Sequence, residues 1–248
     1  MIFLRSLAFQ VAFWSWTALL AFAGLPFLLG TRRGMMRFGT FWSRSTLVLL
    51  RWIVGLRYDV RGREHLPAGP VIIAMKHQSA WDTLAAPVLF PDCAAVIKRE
   101  LGWLPFYGWY TVKAGSITVD RGAGARALKR MVVQAQRVAA AGRTIVIFPQ
   151  GTRAAVGAKK PYLPGIAALY QQLKLPVVPV AINSGVFWGR RHFLRRPGTV
   201  LVEILPPIPP GRPRRAFMTE LEHSIETATD ALVAEGRARG QEPWDPWG

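Results

Sequence analysis

The chain has 248 residues, 51% of them hydrophobic, with 32 Lys plus Arg against 14 Asp plus Glu and a formal net charge of +18. That apolar share excludes a disordered basic tail, and the length fits one domain with an appendage. The single cysteine, Cys93, excludes a disulfide framework and a cysteine-based zinc site, while the charge points to an anionic partner: a membrane surface, a phosphorylated substrate or nucleic acid.

Residues 6–30 carry no charge. About 20 apolar residues cross a bilayer core, so this run is long enough, with Gly24, Pro26 and Gly30 marking a kink or an end. A signal peptide is the competing reading; the length of the run, its central aromatics and the lack of a small-residue cleavage site argue against it. Residues 31–63 then interleave Arg32, Arg33, Arg37, Arg44, Arg51 and Arg57 with Phe38, Phe41, Trp42, Leu47, Trp52 and Ile53. That mixture suits a helix in the headgroup layer, with its arginines on anionic lipid and on the cytoplasmic side. The expectation is a membrane-anchoring helical hairpin over residues 1–57, spanning or re-entrant, followed by a second unit over residues 58–248.

In that second unit, β-branched apolar runs alternate with helical stretches. Strands are expected at 71–75, 94–97, 116–119, 144–148, 177–182 and 199–205, and helices at 81–90, 123–141, 166–173 and 214–237. Strands apolar on both sides, alternating with helices, predict an α/β fold with a largely parallel central sheet flanked by helices. From Arg121 to Val202 there is no Asp or Glu, while Arg126, Lys129, Arg130, Arg137, Arg143, Arg153, Lys159, Lys160, Arg190 and Arg195 fall within that stretch. One-sided charge predicts a positive surface or cleft facing phosphates.

Two constellations follow buried strands, where α/β sheets place ligand groups. In Lys76-His77-Gln78-Ser79-Ala80-Trp81-Asp82, a carboxylate within reach of the imidazole fixes its tautomer and raises the basicity of the free nitrogen. In Phe148-Pro149-Gln150-Gly151-Thr152-Arg153, the glycine lets backbone N–H groups approach an anion and the arginine offers a fork for phosphate. A third match, Gly122-Ala123-Gly124-Ala125-Arg126-Ala127, imitates a dinucleotide fingerprint, but the next acid after Asp120 is Glu203, so it reads as a turn and helix start. The basic residues form no nucleic-acid motif, so no nucleic acid is expected as a partner. The four histidines are scattered, so no metal is expected.

Together the blocks resemble the glycerolipid acyltransferases, specifically the 1-acyl-glycerol-3-phosphate (lysophosphatidic acid) acyltransferases. Four blocks occur in that family's order: His77 to Asp82; Lys98-Arg99-Glu100-Leu101 with Pro105 and Gly108; Phe148 to Arg153; and Val178-Pro179-Val180. Gln150 stands where the family has Glu, which leaves a hydrogen-bonding role there and removes a charged one. The resemblance implies acyl transfer from a thioester, acyl-CoA or acyl carrier protein, to the free hydroxyl of lysophosphatidic acid, giving phosphatidic acid without an acyl-enzyme and without a cofactor. It implies His77 as general base, Asp82 as its orienter, and Lys98, Arg153, Gly151 and Thr152 on the acceptor phosphate, with Gln150 and Glu100 in support. No Gly-x-Ser-x-Gly elbow occurs and Cys93 has no evident base partner. Backbone N–H groups at the start of the helix after His77 are the candidate oxyanion donors. Pro105, Phe106, Tyr107 and Trp109 are candidates for the acyl or membrane entrance, and Asp120-Arg121 reads as a structural pair. The expected location is a membrane, for a bacterial protein the inner membrane with the catalytic unit facing the cytoplasm, with anionic lipids and the carrier protein as further partners. The alternatives are the same chemistry on another lysolipid or glycerol 3-phosphate and, from another class, a non-catalytic basic protein that binds polyanions at a membrane.

Overall fold

The computed structural model describes residues 1–238 except 121 and 123. Seven strands form one sheet: β1 (Leu56–Arg61), β2 (Ile72–Met75), β3 (Ala94–Lys98), β4 (Ile117–Val119), β5 (Ile145–Ile147), β6 (Val177–Ile182) and β7 (Gly198–Ile204). Their spatial order is β1-β7-β6-β2-β5-β3-β4, parallel throughout except for the antiparallel β6–β7 pair. The helices are α1 (Ile2–Ala23), α2 (Leu25–Leu29), α3 (Arg32–Leu49), α4 (Ala80–Leu89), α5 (Tyr107–Lys113), α6 (Gly124–Ala140), α7 (Pro164–Leu173) and α8 (Arg214–Ala238).

All four residues of β2 are buried, and they alternate between two cores. Ile73 and Met75 join Trp81, Leu84 and Leu89 of α4 together with Phe9, Leu47, Leu50 and Val54 from the N-terminal helices. Ile72 and Ala74 face Met131 and Ala135 of α6, Ile166 and Tyr170 of α7, and Phe217, Leu221 and Ile225 of α8. A central strand covered on both faces must be apolar at every position, which explains its unbroken run. The helices and strands expected from residue 71 onward all form, with ends shifted by a few residues.

The N-terminal segment departs from the expectation in two ways. The interfacial helix expected over 31–63 stops early: after α3 a single π-helical turn (Leu50–Val54) ends at Gly55 in a left-handed conformation, and β1 begins at Leu56. The hairpin also shares a core with the sheet. Trp42 donates to Thr17 Oγ1 (3.1 Å) and Trp16 donates to Ser45 Oγ (2.7 Å), tying α1 to α3. Ser6 near one end of α1 bonds the backbone at Arg195, and Tyr110 of α5 donates to the Ala21 carbonyl near the other end. So α1 lies lengthwise along the domain. It is long and apolar enough to cross a membrane, and Leu4, Val11, Trp14, Leu19 and Phe22 stay exposed along it.

Two cations of the acid-free stretch are not on a cleft. Arg143 is buried and donates to the carbonyls of Asp92, Cys93, Ala114 and Gly115, and burial lowers its pKa. Arg195 is buried against the rings of Phe9, Trp188 and Phe193, and burial lowers its pKa to about 10. Both fasten loops through carbonyl bonds and ring faces, tasks that suit a guanidinium with several donors.

Candidate active site

The peptide leaving β2 places His77 in the turn that opens α4. Ser79 is the N-cap of α4 and Asp82 its third residue, and the two form a reciprocal capping box. The same carboxylate therefore ends one helix and holds one histidine. Asp82 Oδ2 accepts from His77 Nδ1 at 2.8 Å, from Gln78 N at 2.7 Å and from Ser79 N at 2.8 Å. Asp82 Oδ1 accepts from Ser184 Oγ at 2.5 Å. Asp82 is fully buried and the His77 side chain is 12% exposed. Because Nδ1 faces a carboxylate, Nδ1 carries the proton and Nε2 is the free base. The ring stacks on Phe148, with centroids 4.1 Å apart and planes at 25°.

This geometry narrows one expectation. The backbone N–H groups of Gln78 and Ser79 are spent on Asp82, and that of Trp81 on Ser79 Oγ at 3.2 Å, so none of the three is free for an oxyanion. It also adds Ser184, which lies 102 residues from its partner in the turn after β6.

The phosphate candidates leave two adjacent strands. Gly151 follows β5 and adopts φ +66°, a left-handed conformation that glycine takes without a Cβ penalty. Ala154 N donates to the His77 carbonyl at 2.8 Å, which docks the loop carrying Thr152 and Arg153 onto the turn that holds His77. Arg153 is half-buried and makes no ion pair with any described residue. Gln150 is buried; its Nε2 donates to the Lys160 carbonyl at 3.5 Å and its Oε1 has no partner among the described residues. Lys98 ends β3 and pairs with Glu100 at 3.2 Å, both partly exposed. The backbone amide of Glu100 and then Lys98 hold that carboxyl below the usual carboxylate range. Arg99 pairs with Asp120 at 2.8 Å; Arg121, expected as the partner of Asp120, lies outside the described residues.

The Pro105–Gly108 block turns the chain from this strand into α5. A Cβ at Gly108 would sit 2.3 Å from the Gly102 carbonyl oxygen, so only glycine fits there. Phe106 and Tyr107 line an apolar cavity of about 210 Å³ between α1, α3, α4, α5 and β3, which reaches Phe148 beneath the His77 ring. Trp109 stays on the surface, with its ring 5.4 Å from that of Phe106. Cys93 also lines this cavity, and burial pushes its thiol up to about 12, which leaves it without nucleophilic character at neutral pH. Among the described residues no group of three His, Cys, Asp or Glu could hold a metal.

A family model described as acyltransferase matches residues 57–183, from the first strand to the turn after β6. The 1-acyl-sn-glycerol-3-phosphate acyltransferase of Pseudomonas aeruginosa is 35% identical over 194 residues, covering 78% of this chain and 76% of that protein. The chain belongs to the acyltransferase family. A second member, the human 1-acyl-sn-glycerol-3-phosphate acyltransferase alpha, is 28% identical over 240 residues, 94% of this chain and 84% of that protein. The crystal structure of the 1-acyl-sn-glycerophosphate acyltransferase of Thermotoga maritima has the same fold: the TM-score is 0.75 at 20% identity, covering 94% of this chain and 98% of that one. The matched residues of this acyltransferase hold the His77–Asp82 pair, Ser184's neighbour Asn183 and the Phe148–Arg153 loop, and they stop short of α8.

A buried polar cluster supports the turn that holds His77. Lys76 Nζ, 2% exposed, donates to both oxygens of Glu226 on α8, at 2.7 and 2.5 Å, and Tyr162 donates to the same carboxylate at 2.7 Å. Burial, and then the Glu226 charge, raise the Tyr162 hydroxyl far above its usual range and keep it a donor. The residue before His77 is thus anchored to the C-terminal helix of the acyltransferase.

Proposed function

We propose that this acyltransferase moves a fatty acyl group from a thioester to the free hydroxyl of lysophosphatidic acid, giving phosphatidic acid. The observation that carries the reading is the His77–Asp82 pair, with Nε2 free, standing between an arginine-bearing loop and an apolar cavity. His77 Nε2 takes the proton of the acceptor hydroxyl as the oxygen attacks the thioester carbonyl. Asp82 holds the ring and stabilises the imidazolium that forms. The tetrahedral intermediate then expels the thiolate, which receives the same proton from His77. No acyl-enzyme is needed, which fits a cysteine whose thiol is buried and unreactive.

Arg153 and Lys98 supply the charge that holds the acceptor phosphate, with Thr152 offering a hydroxyl; the Gly151 N–H expected there instead donates to the Phe148 carbonyl at 2.9 Å, so Gly151 shapes the loop rather than binding the anion. Gln150 supports this loop through the Lys160 carbonyl. The apolar cavity takes the acyl chain, and Phe148 separates its floor from the imidazole. Neutral Gln150 leaves the positive charge of Arg153 undiminished, which favours a phosphorylated acceptor over an uncharged one.

The acyltransferase works on a membrane. Leu4, Val11, Trp14 and Phe22 of α1, Phe41 and Val48 of α3, and Trp52 are exposed large apolar side chains, more than a soluble surface tolerates. Arg33, Arg37, Arg44 and Arg51 flank them, so the hairpin enters one leaflet with anionic headgroups beside its arginines. In a bacterium that leaflet is the cytoplasmic side of the inner membrane. Both acyl-CoA and acyl carrier protein fit as donors, since each presents a phosphopantetheine thioester. The test is the purified protein on anionic vesicles with an acyl-CoA donor and a panel of lysophosphatidate, other lysolipids and glycerol 3-phosphate. Lysophosphatidate-dependent release of free thiol with phosphatidate as the product supports the reading, and preference for another acceptor refutes it.

A further inference from the structure

A cavity of about 470 Å³ lies over the C-terminal end of β6, and the chemistry above leaves it unused. One wall is Gln78, the residue after His77. Gln78 is 1% exposed; its Oε1 accepts from Gly185 N at 3.0 Å, and its Nε2 has no partner among the described residues. A buried amide with an unmet donor marks a place where a ligand or water completes the hydrogen bonding. The other walls include Gly157, which is exposed, and Arg190, Asp230 and Arg237, whose charges line the rim.

This cavity is coupled to the catalytic pair. The turn that forms its wall bonds the catalytic loop twice, through Gly185 N to Gln78 and through Ser184 Oγ to Asp82. Its side of the site is also defined. The strand order puts β6 on one flank of β2 and puts β5 and β3, which carry Arg153 and Lys98, on the other. With the acceptor phosphate on the β5–β3 flank and the acyl chain among the N-terminal helices, the β6 flank remains for the third part of the reacting pair.

Resting on the acyl-transfer reading above, we propose that this cavity receives the phosphopantetheine arm of the thioester donor. The leaving sulfur must come within reach of His77 Nε2, which returns the proton to it. From there the arm carries two amides and ends in a phosphate. The Gly157 backbone and the Gln78 amide match the amides, and Arg190 and Arg237 match the phosphate, with Asp230 as the one opposing charge among the described lining residues. The arm is common to coenzyme A and to acyl carrier protein, so the cavity is expected to serve either source.

The experiment uses the full chain on anionic vesicles, with wild type in every assay so that absence of acyl transfer is recognised separately. Arg190→Ala combined with Arg237→Ala removes the cations. Ala155→Phe, at an exposed position on the same wall, fills the space without touching the core. Each is expected to raise KM for the donor about tenfold, while KM for lysophosphatidate stays within about twofold. Acyl-CoA and acyl carrier protein are run in parallel, and a rise for either supports the proposal and identifies the source that uses the cavity. Free coenzyme A is expected to compete with acyl-CoA on wild type and to compete more weakly on both variants. A rise in KM for lysophosphatidate, or unchanged donor KM in both variants, overturns the proposal.

Discussion

Replacing Asp82 with Asn separates the charge of this residue from its hydrogen bonding. Asp82 is fully buried, with three donors on Oδ2 and the Ser184 hydroxyl on Oδ1. An asparagine satisfies the same set if its oxygen faces His77, Gln78 and Ser79 and its amide donates to Ser184, so the helix cap and the fold persist. The three charge-assisted bonds become neutral ones, which costs about 1–3 kcal/mol of stability. What disappears is the negative charge beside the imidazolium that the proposed mechanism forms in the transition state. With charge centres about 4 Å apart and an effective dielectric constant near 20, that interaction is about 4 kcal/mol. Asp82→Asn is therefore expected to lower kcat roughly a thousandfold, with both KM values little changed. The assay is phosphatidate formation at saturating substrates, with thermal unfolding alongside to verify the fold. A folded variant with kcat within about tenfold of wild type refutes the assignment of Asp82 as the group that stabilises the protonated base.

Arg153→Ala is expected to raise KM for lysophosphatidate about tenfold or more, the worth of a charge-assisted phosphate contact, with donor KM unchanged; a selective rise in donor KM contradicts the clamp. Gly39 lines the apolar cavity from α3, and a Cβ there meets nothing within 4 Å. Gly39→Leu is therefore expected to fold and to take room from the acyl chain. Each excluded methylene is worth about 0.8 kcal/mol, so losing two shifts the kcat/KM ratio of long to short donors by roughly tenfold toward short ones. An unchanged chain-length profile shows that the chain lies elsewhere. Ser184→Ala leaves Asp82 Oδ1 buried without its donor, and is expected to cost about 1–3 kcal/mol in denaturant unfolding and to lower kcat rather than either KM.

Much of this architecture is written locally. Strands β2, β5 and β6 are buried on both sides and read as unbroken apolar runs. The His77–Asp82 spacing is legible because Ser79-x-x-Asp82 is a capping box, which puts the carboxylate at a fixed place in the first turn of α4. That same box occupies the N–H groups of Gln78 and Ser79, which removes them from the oxyanion donors available at the start of α4. Strand β1 escaped because Leu56–Arg61 is an edge strand with three exposed residues after its first, and its charges continue the arginine pattern of α3. Its partner β7 lies more than 130 residues onward, so no local pattern announces it. α5 has only seven residues, too few for a periodic signal. Ser184 carries no mark in the sequence as a partner of Asp82, because tertiary folding alone brings the turn after β6 against α4. The burial of Arg143 and Arg195 was hidden for the same reason: the carbonyls that hold Arg143, and the Phe9 ring that covers Arg195, are distant in sequence.

The account stands on His77 as the base that frees the acceptor hydroxyl, and the most direct measurement is the turnover of His77→Ala with lysophosphatidate and acyl-CoA. The side chain sits in a turn at 12% exposure, and removing it leaves the Asp82 cap of α4 in place, so the variant is expected to fold. Phosphatidate formation is expected to fall by about 10²–10⁴, the range of general-base contributions, with both substrates still bound. Turnover close to that of wild type in a variant with an unaltered unfolding transition would show that some other group takes the proton.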